Sequence, residues 1–278
     1  MECFGKFFYL DGNIIPAGQD DEIAQGEVSF YEVIRIREGI PLFFDDHMKR
    51  MSDGISTRYE PDHDISGKVR EGLDALVRKQ SFPEINVRIT VTYTGCDYSL
   101  HICYIPSSYP DEKMIREGVS LVLYHAERFN PGVKVLNTRL RLSVNEELVK
   151  RKAYEALLVN SEGCITEGSR SNVFFVTKTG VIHTAPDKAV LSGITRGYVM
   201  EIIRKERFDL VFEAVREAEI SRFSSVFITG TSPMVLPVQK IDNQIYEVSN
   251  PIVERIRLLY AGKAADSIRS YKMKKSKD

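Results

Sequence analysis

The stretch Ala156-Leu157-Leu158-Val159-Asn160-Ser161-Glu162-Gly163-Cys164-Ile165-Thr166-Glu167-Gly168-Ser169-Arg170-Ser171-Asn172-Val173-Phe174-Phe175-Val176 sets the architecture of the C-terminal half. Apolar, β-rich runs at 156–160 and 165–176 flank the turn Ser161-Glu162-Gly163, the pattern of strands around a tight connection. Glu167 stands inside this pattern between Ile165 and Val173. An exposed carboxylate at a strand end is the ordinary expectation, and those apolar flanks weaken it.

Working outward, three more short motifs bracket the stretch: Lys134-Val135-Leu136-Asn137 before it, then Ser192-Gly193-Ile194-Thr195-Arg196 and Thr229-Gly230-Thr231 after it. Lys134 follows Asn130-Pro131-Gly132 at the mouth of an apolar segment, where partial desolvation favours the neutral amine that attacks an aldehyde. Gly193 allows a close backbone approach, and Thr195 is a good N-cap for a helix over 198–207, whose N-terminus would take an anion. A lysine for a Schiff base, a carboxylate for a ring nitrogen and N–H groups for a phosphate are together what pyridoxal phosphate chemistry requires of a protein.

The N-terminal half reads as strands with helices between them. Phe7-Phe8-Tyr9-Leu10 and Ile14-Ile15-Pro16 around Asp11-Gly12-Asn13 predict a hairpin. Residues 30–37 predict a strand, Leu42-Phe43-Phe44 the start of another, and Asp45-Asp46 the cap of a helix near His47. Val69, Leu73, Leu76 and Val77 have helical spacing, and 87–93 with 100–105 alternate as paired strands. Pro106 to Glu112 is dense in breakers, so the expected organisation is a domain over 1–106, a linker over 107–112 and a larger domain over 113–278. Beyond the linker, 119–124 and 225–229 predict strands and 140–152 a helix. Asn250-Pro251 predicts the start of a last helix through Leu259.

Composition narrows the function classes. A chain of 278 residues, 43% hydrophobic and 28% charged, is ordinary for a soluble globular protein. A formal net charge of -1 argues against a general nucleic-acid binder, and the basic run Lys272 to Lys277 reads as a solvated end. The N-terminus lacks a signal-peptide pattern and no apolar run approaches a membrane span, so a cytoplasmic location is expected. The four cysteines (Cys3, Cys96, Cys103, Cys164) are scattered, and the five histidines show no metal-ligand spacing. Reduced thiols and no metal site are the expectation, with His101 a strand side chain.

Lys134-x-Leu136-Asn137, Tyr154-Glu155-Ala156-Leu157-Leu158, Glu167-Gly168-Ser169 with Ser171-Asn172-Val173-Phe174, Gly193-Ile194-Thr195-Arg196 and Gly230-Thr231 together resemble the fold type IV pyridoxal phosphate enzymes. That family holds branched-chain aminotransferases, D-amino acid aminotransferases and aminodeoxychorismate lyases. The resemblance runs from Phe8-Tyr9-Leu10-Asp11-Gly12 to Leu236 through Asp242. It implies an α+β chain of two domains, a small N-terminal one and a larger one around a β-barrel-like core, assembled as a homodimer. It further implies that Lys134 is the Schiff-base lysine and proton shuttle, that Glu167 pairs with the pyridinium nitrogen, and that Arg50 after His47 binds the phosphate. Ile194 and Thr195 resemble the phosphate-holding positions beside Gly193. Thr231 and Ser232 resemble the second phosphate and substrate-carboxylate loop, and Asn172 a structural support.

Departures from the family pattern bear on substrate. The loop Gln25-Gly26-Glu27-Val28-Ser29 is short, Thr138 and Arg139 stand where a cofactor-binding tyrosine is usual, and Pro233 removes an N–H from the carboxylate loop. Tyr31, Arg35 and Arg88 are candidate substrate contacts, with Arg139 and Arg170 further ones. The Arg-x-His carboxylate trap of the D-amino acid enzymes is absent between Arg88 and His101. The leading expectation is a transaminase moving an amino group from a branched-chain or D-type amino acid to a 2-oxo acid. The alternatives are a lyase of the aminodeoxychorismate type that releases pyruvate, and a diverged member that binds cofactor without turnover.

Overall fold

A computed structural model describes residues 3–18, 26–128, 131–135 and 138–275, without the side chain of Thr138. The chain falls into two compact units. One comprises 1–108, 133–136 and 264–278, and the other 109–132 and 137–263. Three segments thus build the first unit: the segment around Lys134 and the C-terminal residues join it, apart from the larger stretch of chain in which sequence order places them.

The first unit is built on a six-stranded sheet in the order β2-β1-β6-β5-β3-β4. Its strands are β1 (Phe4–Leu10), β2 (Asn13–Pro16), β3 (Val28–Arg37), β4 (Ile40–Pro41), β5 (Glu84–Thr94) and β6 (Asp97–Ile105), and helices α1 (Phe44–Ile55) and α2 (Ile65–Lys79) lie between β4 and β5 in sequence. Strand alternation sorts the side chains. Ile85, Val87, Ile89, Val91 and Tyr93 of β5, with Leu100, Ile102 and Tyr104 of β6, enter one apolar cluster. Phe44, Met48, Met51 and Ile55 of α1 and Ile65, Val69, Leu73 and Leu76 of α2 meet them at helical spacing. The opposite face of the same strands carries Arg88, Thr90, His101 and Cys103, all buried.

The hairpin expected around Asp11-Gly12 is present, with Leu10 opposite Asn13. The strand expected at Leu42-Phe43-Phe44 is not. Pairing stops at Pro41, and Phe43 adopts a left-handed conformation (φ 53°) as the N-cap of α1. Its N–H is spent on the Ser267 hydroxyl, 2.6 Å away, so no ladder is available to it. The apolar run is core on a turn.

The second unit holds a ten-stranded sheet. Its elements in chain order are α3 (Glu112–Glu117), β7 (Val119–His125), α4 (Thr138–Arg151), β8 (Glu155–Val159), β9 (Cys164–Gly168), β10 (Asn172–Thr177), β11 (Ile182–Thr184), α5 (Ile194–Lys205), β12 (Leu210–Phe212), β13 (Val215–Arg216), β14 (Phe223–Gly230), β15 (Met234–Ile241), β16 (Gln244–Ile245) and α6 (Pro251–Lys275). The order is β12-β11-β10-β14-β15-β7-β8-β9-β13, with β16 beside β15. Val173 and Phe175 near one end share a single apolar cluster with Ile165 and Val215 at the other. Strands that far apart in the order meet only if the sheet curls, which makes it a half-barrel closed on its own core. On its outer face Val144 and Leu148 of α4 cover Val122, Ala156 and Leu158. Gly118 (φ +73°) turns α3 into β7, and a Cβ there would lie 2.7 Å from the Gln239 nitrogen, so that turn requires glycine.

Two helix boundaries differ from expectation. Gly193, not Thr195, is the N-cap of α5, because Ile194 and Thr195 are already helical and the Thr195 hydroxyl is paired with Tyr260 at 3.1 Å. Helix α6 continues past Leu259 to Lys275. Among the described residues no helix is long and apolar enough to cross a membrane. Asn250 caps α6 as expected: its Oδ1 accepts from the N–H groups of Ile252 (3.0 Å) and Val253 (3.4 Å), which follow Pro251. Asn250→Ala removes that acceptor and is expected to cost about 1 kcal/mol. A fall in melting temperature of roughly 2–4 °C follows for a chain of this size. An unchanged melting curve would show that water replaces the cap without loss.

Candidate active site

Lys134 is held in the first unit as an extra strand-like segment along β3. The Tyr31 N–H donates to the Lys134 carbonyl at 3.1 Å, and Val135 bridges Phe30. Its Nζ lies 4.6 Å from the centroid of the Tyr31 ring, a cation–π distance. Leu136 and Asn137 of the lysine motif, Asn130 before it and Gln25 of the short loop lie outside the described residues.

Beside Tyr31 in sequence, Glu32 is fully buried on the apolar face of β3. Arg50 of α1 meets it with two parallel bonds, Nε to Oε1 at 2.7 Å and Nη2 to Oε2 at 2.5 Å, and His47 Nδ1 is 2.8 Å from Oε2. Burial pushes the Glu32 carboxyl up, yet the Arg50 charge and the His47 and Arg50 hydrogen bonds outweigh it and hold the group at about 2. Burial lowers His47 despite the Glu32 hydrogen bond and charge, and its Nδ1–H donates to the carboxylate, which can only accept. Lys134 and Arg50 add to that lowering.

In the second unit Glu167 is 2% exposed at the end of β9. Arg128 donates to its Oε1 from Nε at 2.8 Å and to the Ser169 carbonyl from Nη2 at 2.9 Å, and the Leu191 N–H donates to Oε2 at 3.1 Å. The turn that follows is organised by buried Glu155, which accepts from Ser169 Oγ, Ser171 Oγ and the Arg170 N–H. Asn172 opens β10 opposite Thr229 and donates to the Leu191 carbonyl at 3.0 Å. A Cβ on Gly193 would sit 2.2 Å from Asn172 Oδ1, so any larger residue here would displace the Asn172 amide. Helix α5 then begins with no side-chain cap and no acidic residue in its first turn, so no side chain of its own competes for the first N–H groups. Thr231 and Ser232 lie in the turn between β14 and β15, at the same sheet end as Asn172.

The expected residues therefore form two sets, Lys134, Tyr31 and Arg50 in the first unit, and Glu167, Gly193, Ile194, Thr195, Thr231 and Ser232 in the second. Arg35 and Arg88 join neither. Arg35 is buried and bonded to Glu84 (2.9 Å), and Arg88 is 1% exposed with Nη2 on the Cys103 sulfur (3.4 Å). Arg139 and Arg170 are exposed.

The amino-transferase class IV family model matches residues 29–241. The chain belongs to this family. It is similar to the D-alanine aminotransferase of Bacillus licheniformis, 29% identical over 77% of this chain and 79% of that one. It is also similar to the branched-chain-amino-acid aminotransferase of Pseudomonas aeruginosa, 24% identical over 69% and 68%. A crystal structure of the T.th. branched-chain amino acid aminotransferase with pyridoxamine 5'-phosphate superposes with a TM-score of 0.80 at 23% identity, covering 98% of each chain, a likeness of fold. The class IV fold expected from the sequence is the one observed.

Three buried or half-buried charged residues beside the expected site residues were not legible as such. Glu32 carried a signal, since alternation puts it on the apolar face with Phe30 and Ile34, where a lone carboxylate needs a partner. Glu155 stood in the motif Tyr154-Glu155-Ala156-Leu157-Leu158 without a role assigned to it, and Arg128 carried no signal. The pairing of Glu32 generates a pH dependence. Its carboxyl is lowered from an ordinary 4.5 to about 2, so its stabilisation is complete above pH 4.5 and disappears as pH falls toward 2. The shift corresponds to about 3 kcal/mol. Glu32→Gln is expected to lower unfolding free energy in denaturant titrations at pH 7 by about 3 kcal/mol, with the gap from wild type closing below pH 4.5. A gap that stays constant with pH would exclude an ionised, stabilising Glu32.

Proposed function

We propose that Lys134 is the reactive amine of this pyridoxal phosphate-dependent aminotransferase and that Glu167, Arg50, Gly193, Ile194, Thr195 and Thr231 hold the cofactor. The observation that carries the proposal is the placement of Lys134: its backbone is pinned to β3 and its amine stands against the Tyr31 ring, where a surface lysine would be solvated. The donor set suits the cofactor, with an amine, a buried carboxylate and an uncapped helix N-terminus each present.

Pyridoxal phosphate, when bound, supplies an aldehyde carbon for amines and a ring that accepts electrons from the substrate α-carbon. Lys134 Nζ anchors that group and moves the proton from the substrate α-carbon, the role a general base near neutral pH performs. Glu167 keeps a proton on the ring nitrogen, and Arg128 with the Leu191 N–H fix both of its oxygens in place. Ile194 and Thr195 donate backbone N–H groups to phosphate, with the Arg50 guanidinium oriented by Glu32. Tyr31, Thr231 and Ser232 orient the amino acid and its carboxylate. Arg35 is paired with Glu84 and Arg88 is buried beside Cys103, an arrangement that favours a monocarboxylate, short aliphatic donor. D-alanine and the branched-chain amino acids both meet that description, and aminotransferase relatives do not favour the lyase alternative. A homodimer, as the family resemblance implies, in the cytoplasm, as the N-terminal sequence suggests, completes the proposal.

Wild-type protein loaded with cofactor is expected to show a visible absorbance band that a single aliphatic amino acid bleaches and a 2-oxo acid restores. Lys134→Ala is expected to abolish the band and lower turnover at least about 10²–10⁴-fold, the usual proton-transfer contribution. A band that survives in the variant would remove Lys134 from its role. Comparing D-alanine with L-leucine, L-isoleucine and L-valine in the bleaching assay decides the hand and class of the donor. Pyruvate release from aminodeoxychorismate without an acceptor would return the lyase reading.

A further inference from the structure

On the face of the six-stranded sheet opposite its helices, three side chains from distant parts of the chain converge. Cys3 stands immediately before β1, and His101 and Cys103 alternate along β6. Phe4 pairs with Tyr104, which brings the start of the chain alongside β6. One ligand atom from each of Cys3, His101 and Cys103 lies within 4.8 Å of the others. The Cys3 Sγ is 3.9 Å from His101 Nε2, and the Cys3 thiol is hydrogen-bonded to Cys103. His101 and Cys103 are buried and Cys3 is half-buried.

We infer that Cys3, His101 and Cys103 form a binding site for a thiophilic divalent transition metal, zinc(II), separate from the aminotransferase residues. Two sulfurs and one imidazole are the ligand types zinc selects, and carboxylates, which would suit harder cations, are absent from the cluster. Metal–sulfur bonds of about 2.3 Å and metal–nitrogen bonds of about 2.0 Å at tetrahedral angles hold sulfur and nitrogen about 3.6 Å apart, and two sulfurs about 3.8 Å apart. The observed separations need to contract by only a few tenths of an ångström to an ångström. Binding replaces two thiol protons, released to solvent, with one divalent ion, so the charge of the buried cluster does not change. Three protein ligands leave the fourth tetrahedral position for water on the half-buried Cys3 side.

The site is tested in the reduced, cofactor-loaded protein. Titration with zinc(II) against a chromophoric chelator is expected to give one equivalent per chain. Cobalt(II) is expected to show thiolate-to-metal charge transfer and the intense visible bands of a tetrahedral centre. Cys3→Ser, at the least buried of the three positions, is expected to weaken zinc(II) binding at least about 100-fold, beyond the 10–100-fold typical of losing an outer-shell partner, while transamination and melting temperature stay at wild-type values. His101→Asn is a second variant and should remove the same cobalt(II) bands. Absence of these bands in wild type overturns the inference, as does zinc(II) uptake that both variants leave unchanged. An intact mass two hydrogens lighter before reduction, with no metal uptake after it, would assign the pair to a disulfide instead.

Discussion

The antiparallel register between β3 and β5, unbroken from Val28 opposite Tyr93 to Arg37 opposite Glu84, decides which side chains face which side of the six-stranded sheet. With side chains alternating at a period of two, a slip of one residue would exchange the faces completely. Tyr31 and Glu32 are neighbours in sequence, yet this register sends them to opposite sides. Tyr31 goes to the side of Thr90 and His101, and Glu32 to the apolar side with Ile89 and Ile102. The lysine that runs along β3 inherits its position from the same strand through the Tyr31 N–H. The ionised carboxylate inside the apolar cluster is tolerable only because α1 delivers Arg50 and His47 to it, three residues apart on one helix face.

The second unit meets the same problem with a different device. Its carboxylates, Glu155 and Glu167, are buried near the turn where β9 ends and β10 begins, and backbone N–H groups share in satisfying both. Glu155 accepts from the hydroxyls of Ser169 and Ser171 and the N–H of Arg170 in that turn, and from the N–H of Ala156 on its own strand, so it fixes the path of the chain leaving Glu167. Asn172 then locks the Leu191 carbonyl, and the glycine at 193 permits the contact. A rigid turn, an anchoring amide and a helix start follow one another over a short path. Under the proposed function, preorganisation of that kind would keep the cofactor's ring and phosphate in fixed relation without cost at each turnover.

Much of this was legible because the chemistry is local in sequence. Glu167-Gly168, Gly193-Ile194-Thr195 and Gly230-Thr231 each sit at one strand end or helix start, where residue type and spacing already constrain geometry. Helix positions such as Val69, Leu73 and Leu76 were readable from period alone. What escaped depends on long-range pairing. Arg128 reaches Glu167 across 39 positions, and Cys3 reaches His101 across 98. Scattered cysteines argue against a metal site only when ligands are assumed to be close in sequence, and a sheet removes that assumption by laying β1 beside β6. Phe43 failed for a related reason, since its apolar neighbourhood resembled a strand while its N–H was already taken by Ser267 from the far end of the chain.

Arg88 ties these threads together. Buried beside Cys103 with a thiol sulfur as the acceptor for its Nη2 at 3.4 Å, it contrasts with Arg50, which faces a carboxylate through two bonds of 2.7 and 2.5 Å. A neutral thiol is a weak acceptor. A coordinated thiol is deprotonated outright, and a thiolate beside a guanidinium makes a charge-assisted contact of the stronger kind. Metal at Cys3, His101 and Cys103 therefore improves the environment of an arginine that the fold has already buried, without adding net charge to it. On this argument the cluster and Arg88 act as one unit, in which the cation on β5 orients the sulfur on β6 through the strand pairing that places Arg88 opposite Cys103.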